Sequence, residues 1–319
     1  MEKIRLALLF GGVSSEREVS LNSGKQVWEA LDKDKYEITH YDPKSDLPQL
    51  VLDAENIDAA LIILHGPFGE DGTIQGLLDL LNIPYQGAGV LGSSVAMNKL
   101  LSKRIYEGAG IPTPAYRSFT LEESVDIDAL VAELGLPVVV KPVCAGSSVG
   151  MGIIKEQADL AGAIEEAFRH DDTIMVEAFV DGLDLTCGVL GNQDLEALPP
   201  IEIIPGGDSE FFDYTAKYTP GASQEICPAR IPEAVTQEVY RLAKAAHKAL
   251  FLKGYSRSDF ILAKDGSLVV LETNTIPGMT ATSLYPQSAQ EAGYTFSQLL
   301  DKLIELAMAE HNKLNLRRR

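Results

Sequence analysis

Apolar residues along this chain fall into two rhythms: short unbroken runs, and stripes that recur every three or four positions. Ile4 to Phe10 is such a run, stopped by Gly11-Gly12, and it predicts a buried strand. Ser15-Glu16-Arg17-Glu18 has the spacing of a capping box and predicts a helix continuing to about Leu31. Tyr36 to Tyr41 alternates as a strand does, and Ala59 to Leu64 is a second buried run ending at His65-Gly66. A glycine-bounded loop, Pro67 to Gly72, leads into a helix from Thr73 to Leu81. Strands alternating with helices predict a parallel sheet covered on its faces. Ligands collect at the carboxyl ends of strands in such sheets, where Gly11-Gly12 and His65-Gly66 both fall.

A glycine-rich stretch, Gly87 to Gly92, precedes one helix expected from Ser93 to about Glu107, and Ile111-Pro112-Thr113-Pro114 reads as a rigid extended linker. The first domain boundary therefore falls near residue 88. Strands are expected at Tyr116 to Thr120, Pro137 to Pro142, Met151 to Lys155 and Thr173 to Phe179. Helices from Val125 to Leu134 and Ala158 to Phe168 lie between them. From about residue 184 the chain turns strand-rich. One long helix interrupts it, Pro232 to Phe251, with an apolar stripe of Val235, Val239, Leu242, Ala246 and Leu250. A last helix is expected from Phe296 to Ala309. The resulting division is 1–88, 89–183 and 184–319.

Composition narrows the function classes. A chain of 319 residues, 45% hydrophobic and 23% charged, buries a large core and is not disordered. Lys and Arg number 27 against 46 Asp and Glu, a net charge of -19 that a nucleic-acid backbone repels. A few lysines can still gather on a small phosphate. Cys144, Cys187 and Cys227 are scattered and form no CxxC pair, so neither a disulfide framework nor a structural zinc is expected. The first apolar run is too short for a signal peptide, and none approaches the roughly 20 residues of a membrane span. The expectation is a cytoplasmic protein without membrane or nucleic-acid partners. Arg317-Arg318-Arg319 reads as a solvated, frayed tail.

Three glycine motifs compete for the chemistry. Gly87-Ala88-Gly89-Val90-Leu91-Gly92 fits the dinucleotide pattern GxGxxG, but no long strand precedes it and Glu107, at the expected distance, lies in a helix. It reads as a turn. Gly146-Ser147-Ser148-Val149-Gly150 fits the hydrolase pattern GxSxG, with Ser148 as nucleophile. An elbow must run from strand into helix, and here another apolar run follows, so a hairpin is expected and a serine hydrolase is the alternative function. The same loop, with small residues from Ala145 onward and Lys141 at the end of its strand, suits phosphate binding through backbone N–H groups. It lacks the GKS or GKT of a Walker loop.

A pair of carboxylates carries the strongest physical argument. Arg257 to Leu262 and Ser267 to Asn274 read as strands joined by a two-residue type I′ turn at Asp265-Gly266. That turn sets Asp259 opposite Glu272 and Arg257 opposite Asn274, all on one face. Opposed carboxylates repel unless a cation lies between them. Their oxygens and that of Asn274 suit a hard cation, and a magnesium that carries phosphates needs only one or two protein carboxylates. Zinc is disfavoured, since no His or Cys lies in the hairpin.

These motifs occur in a fixed order. Gly11 to Ser20 comes first, then Leu64-His65-Gly66 with Gly69-Glu70-Asp71-Gly72, then Met97-Asn98-Lys99. Lys141-Pro142 with the Gly146 loop, Tyr214-Thr215-Ala216-Lys217-Tyr218 and Glu272 to Thr280 follow. In that order the chain resembles, nearly end to end, the bacterial D-alanine–D-alanine ligases of the ATP-grasp superfamily. The resemblance implies an α/β fold of three domains, a parallel-sheet N-terminal domain followed by central and C-terminal domains that hold ATP between them. By the same resemblance Lys99, Lys141 and Lys217 hold nucleotide phosphates, with Ser147 and Ser148 in the loop around them. Glu177, Ala178, Phe179 and Val180, with Asp184, face adenine and ribose. Asp259, Glu272 and Asn274 bind two Mg²⁺, for which Mn²⁺ can substitute. Glu16 holds the first D-alanine's ammonium, with Ser20 and His65 among the substrate contacts. Arg257 and the Gly278 N–H stabilise the oxyanion, Ser283 and Leu284 receive the second D-alanine, and Ser147 and Tyr218 order the substrates under a closing loop. A homodimer is implied as well.

Two positions depart from the family pattern. Asp184 stands where Glu is expected, and Cys144-Ala145 replaces more polar residues beside Gly146. The remaining alternative is a catalytically silent ATP-binding module; the presence of Arg257 and Glu16 argues against it.

Overall fold

A computed structural model describes residues 2–146, 149–206 and 223–318. Its first part is built on β1 (Ile4–Phe10), α1 (Arg17–Ala30), β2 (Tyr36–Tyr41), α2 (Leu47–Leu52), β3 (Ala59–Ile63) and α3 (Thr73–Leu80). The strands form a parallel sheet in the order β2-β1-β3. Leu6 to Leu9 and Ala59 to Ile63 are buried on both faces, which is why these runs show no alternation. Both apolar runs end at the same edge, so Gly11-Gly12 and His65-Gly66 emerge side by side.

The middle of the chain contains α4 (Val90–Met97), α5 (Lys99–Gly108), β4 (Tyr116–Thr120), α6 (Ile127–Leu134), β5 (Val138–Pro142), β6 (Gly152–Ile154), α7 (Gln157–Phe168) and β7 (Thr173–Ala178). Its strands pair antiparallel in the order β4-β7-β5-β6, and α6 and α7 cover one face through Leu130, Leu160 and Ile164. The remainder contains β8 (Gly182–Leu190), β9 (Glu196–Ala197), β10 (Ile201–Pro205), β11 (Ser223–Ile226), α8 (Glu233–Ala249), β12 (Tyr255–Ala263), β13 (Leu268–Asn274), α9 (Leu284–Glu291) and α10 (Phe296–Arg318). A second antiparallel sheet runs β11-β10-β8-β12-β13, with β9 attached to β8. Helix α8 lays Val239, Leu242, Ala243 and Ala246 on it, as its apolar stripe predicts. Tyr255 and Tyr285 pack into the same core as β1, β3 and α10, which seats the second antiparallel sheet against the parallel one.

Four expectations change. The single helix expected across Ser93 to Glu107 is two, because Asn98 is extended (φ -91°, ψ 101°) and its Oδ1 caps α5 by accepting from the Leu101 N–H at 2.9 Å. The capping box does not form: Glu16 is the N-cap without a side-chain cap bond, and the Ser14 hydroxyl donates to the His65 carbonyl at 2.6 Å. The last helix continues past Ala309 to Arg318, with Glu310 pairing to Lys253 at 3.4 Å. The hairpin turn is not type I′. Ala263 N–H bonds to the Ser267 carbonyl and Gly266 N–H to the Ala263 carbonyl, so three residues, Lys264 to Gly266, close the loop. A β-bulge beyond Asp259 then admits Leu271 as an extra residue and restores the pairing of Asp259 with Glu272 and Arg257 with Asn274.

The Gly11-Gly12 loop is held by one buried carboxylate. Asp42 accepts from the Gly12 and Lys44 N–H groups at 2.9 Å each and from Arg17 Nη2 at 2.6 Å. Burial opposes the Asp42 charge, but these donors outweigh it and hold the carboxyl down at about 2. A folded pKa below the unfolded one stabilises fully above the unfolded pKa, and that contribution is lost as pH falls through the folded pKa. Asp42→Asn is therefore expected to cost about 2 kcal/mol at neutral pH. In urea melts the gap to wild type should close between about pH 4 and pH 2.

Candidate active site

A cleft of about 950 Å³ opens where the two antiparallel sheets face each other beside the parallel sheet's carboxyl edge. Glu16, His65, Lys99, Lys141, Glu177, Ala178, Phe179, Val180, Asp184, Arg257, Asp259, Glu272, Asn274, Gly278, Ser283 and Leu284 all line it. Ser147, Ser148, Lys217 and Tyr218 lie outside the described residues. Ser20 is not among the lining residues. Its hydroxyl accepts from the Gly11 N–H and donates to the Ile63 carbonyl, which ties the ends of β1 and β3 together and leaves it fully buried. In this structure the Ser20 hydroxyl sets the two loops.

Glu16 enters from the start of α1. A Cβ on Gly66 would lie 2.8 Å from Glu16 Oε2 and one on Gly146 would lie 3.2 Å from it. Both loops approach this carboxylate closely, and Gly66, with a φ of +73°, is the position that favours glycine on backbone grounds. Beside it, burial lowers the His65 pKa, opposed by Glu16 and by a hydrogen bond with the Ile276 backbone. The ring is neutral, and its Nε2 is buried without a hydrogen-bond partner.

The lysines come from different elements. Lys99 opens α5, and its ammonium donates to the Ala145 carbonyl at 2.7 Å and lies 3.5 Å from Glu272 Oε2. A cation at a helix N-terminus opposes the helix dipole, so an anion placed here is favoured by both. At the departure Cys144-Ala145 the Lys99 contact uses the Ala145 backbone carbonyl, and the Cys144 Sγ accepts from Asn98 Nδ2 at 3.7 Å. Lys141, at the end of β5, lies 2.9 Å from Glu177 Oε2. Because β5 pairs antiparallel with β6, the glycine loop between them is a hairpin connection and not the strand-to-helix elbow a serine nucleophile requires.

Across the cleft, β12 and β13 present Arg257, Asp259, Glu272 and Asn274 together. Arg257 Nε and Nη2 each donate to Asp259 at 3.1 Å, Asn274 Nδ2 donates at 3.2 Å, and the Thr186 hydroxyl donates at 2.6 Å. Asp259 is thus fixed from three sides. Near by, Gly278 approaches Ser283 so closely that a Cβ there would lie 3.0 Å from the Ser283 hydroxyl. That hydroxyl accepts from the Thr280 N–H at 3.1 Å.

Thr186 and Lys103 escaped sequence reasoning, and Glu70 was named there only within its motif, without a role. Thr186 occupies a strand position with no motif around it. Glu70 accepts from the Gly66 N–H at 2.6 Å, and burial together with the Glu16 carboxylate pushes it up to about 8. At neutral pH it keeps its proton and adds no second negative charge beside Glu16. Lys103 lies buried behind Glu177; its place one helical turn after Lys99, on the stripe shared with Tyr106, was the available signal.

The comparisons agree with this geometry. Two family models match, "D-ala D-ala ligase N-terminus" over residues 5–48 and 43–88 and "D-ala D-ala ligase C-terminus" over residues 105–305. A D-alanine–D-alanine ligase of Syntrophobacter fumaroxidans is 57% identical over 309 residues, covering 97% of this chain and 99% of that protein. The structure of a Bacillus anthracis D-alanine–D-alanine ligase complexed with ATP superposes with a TM-score of 0.85 at 36% identity, over 98% of this chain and 99% of that one. The VanG D-Ala:D-Ser ligase from Enterococcus faecalis gives 0.83 at 33% identity, over 96% of this chain and 100% of that one. Fold and site define an α/β ligase with a parallel-sheet domain beside antiparallel-sheet domains. The chain belongs to the D-alanine–D-alanine ligase family, whose reaction is the ATP-dependent joining of D-alanine and which serves peptidoglycan synthesis. Among the described residues no helix is long and apolar enough to cross a membrane.

Proposed function

We propose that this cleft activates the carboxylate of one D-alanine with ATP and delivers the acyl group to the amine of a second. The observation that carries the reading is the convergence of two lysines, two opposed carboxylates and an arginine in one cleft. A carboxylate oxygen of the first D-alanine attacks the γ-phosphorus, the bond to the β-phosphate oxygen breaks, and ADP leaves an acyl phosphate. The second amine then attacks the acyl carbon, loses a proton, and expels phosphate with the transferred oxygen.

In this reading Lys99 and Lys141 hold phosphate oxygens, and the wall from Glu177 to Val180 with Asp184 takes the nucleoside. Glu16 orients the first D-alanine's ammonium, and the neutral His65 ring offers Nε2 to the same substrate. Arg257 and the Gly278 N–H face the tetrahedral oxyanion, while Ser283 and Leu284 seat the second D-alanine's carboxylate. Positioning and charge dominate phosphoryl transfer, which is what such a set supplies. Asp259, Glu272 and the Asn274 carbonyl oxygen form an all-oxygen donor set that fits magnesium or manganese, two ions being the family's complement. Bound there, the metal would neutralise charge building on the transferred phosphoryl group. The units 1–88, 89–183 and 184–319 are read as the substrate-binding, central and C-terminal domains, and family membership supports a cytoplasmic homodimer.

The test is turnover of MgATP with D-alanine, with L-alanine and with no amino acid. Phosphate and D-alanyl-D-alanine should appear one to one with D-alanine alone. Phosphate release indifferent to the amino acid would overturn the assignment. Efficient joining of D-alanine to D-serine in preference to D-alanine would revise the second substrate only.

A further inference from the structure

Lys103 does not line the cleft, and it is only 1% exposed. Its ammonium lies 3.0 Å from Glu177 Oε2 and donates to the Thr113 hydroxyl at 2.6 Å and to the Pro114 carbonyl at 3.2 Å. The Tyr116 ring lies over it at 5.1 Å. Lys141 reaches the same Glu177 oxygen from the cleft side at 2.9 Å. One carboxylate oxygen therefore stands between two ammonium groups, one in the cleft and one sealed behind it.

A buried ammonium is expensive, and an apolar side chain of similar volume would fill the space at less cost. The charge count suggests what it does. With Lys103 present, the two ammonium groups and one carboxylate leave a net positive charge on the cleft side. Without it, Glu177 would cancel Lys141, and an arriving phosphate would have to compete with Glu177 for that ammonium.

We propose that Lys103 is a positioning residue for the nucleotide: it holds the Glu177 charge from behind and so leaves Lys141 available to a phosphate. The inference rests on the reading of Lys141 as a phosphate ligand. The surroundings agree with it. The charged groups facing Lys103 are Glu177 from β7, Lys141 from β5 and Glu107 on its own helix. Burial pulls the ammonium down to about 8, with Glu177 the foremost opposing influence, so its charge at neutral pH depends on that pairing. Glu177 in turn stays ionised despite full burial, because Lys141 and Lys103 outweigh the desolvation.

The experiment compares Lys103→Met, Glu177→Gln, the double variant and Lys141→Met by their KM for ATP and their kcat at saturating ATP. Lys103→Met should raise KM for ATP roughly ten-fold, the equivalent of one pK unit of lost charge interaction, with kcat little changed. In the Glu177→Gln background, which has no carboxylate charge to hold, the same substitution should raise KM much less. Equal effects in both backgrounds, or a fall in kcat with KM unchanged, would reduce Lys103 to a structural role and overturn the inference. Lys141→Met separates the two readings. If it raises KM for ATP while Lys103→Met does not, only the inference fails. If it leaves KM unchanged, the phosphate role of Lys141 fails and the inference with it. Should Lys103→Met not fold, Lys103→Arg keeps the charge and should hold KM near wild type; a ten-fold rise there would count against the proposal.

Discussion

Glu272→Gln is expected to lower kcat by about 10²–10³-fold without lowering the folding stability of the ligand-free protein. The two halves of that result come from one piece of geometry. Glu272 pairs directly with Asp259 across β12 and β13. Asp259 is held by Arg257, Asn274 and Thr186, and Glu272 has an ion pair with Lys99 at 3.5 Å. Opposed carboxylates destabilise a hairpin, so neutralising one relieves repulsion, while loss of the ion pair to partly exposed Lys99 costs little. A purely structural acid would behave in the opposite way, with stability falling and turnover following it. Thermal melts beside steady-state rates, with magnesium titrated in both, separate the cases. The variant should also need more magnesium for half-maximal rate. An unchanged magnesium requirement with wild-type turnover would remove Glu272 from the metal site.

Arg257→Ala should cost about 2.7–4 kcal/mol of transition-state stabilisation, a loss of about 10²–10³ in kcat with a smaller change in KM for D-alanine. The guanidinium lies on the cleft face of β12, clamped by two 3.1 Å bonds to Asp259, so it is preorganised and need not reorganise as the oxyanion forms. Arg257→Lys should recover only part of the loss, because a single ammonium cannot keep the two-point clamp while serving the oxyanion. Near-wild-type turnover of Arg257→Ala would sink the role.

The sequence carried the parallel unit well because β1 and β3 are buried on both faces and end at glycine-containing turns, while β2 alternates, which leaves little room for another reading. It carried the carboxylate pair for a partly mistaken reason. The expected two-residue turn is a three-residue loop, and the Leu271 bulge adds back the residue that the longer loop removes from the register. Neither feature has a composition cue. The break at Asn98 was missed because residues on both sides favour a helix, and only the side-chain bond to the Leu101 N–H ends one and starts the next. Thr186 meets Asp259 across more than seventy positions, a distance over which local pattern has no reach, and for Lys103 the helical spacing from Lys99 marked a face but not its partner Glu177.

The most direct measurement follows the oxygen atom. Given D-alanine labelled with heavy oxygen in its carboxylate, the protein with MgATP should release inorganic phosphate carrying one labelled oxygen for each D-alanyl-D-alanine formed. Unlabelled phosphate accompanying dipeptide would mean that the carboxylate never bonds to the γ-phosphorus, and would contradict the acyl-phosphate chemistry assigned to this cleft.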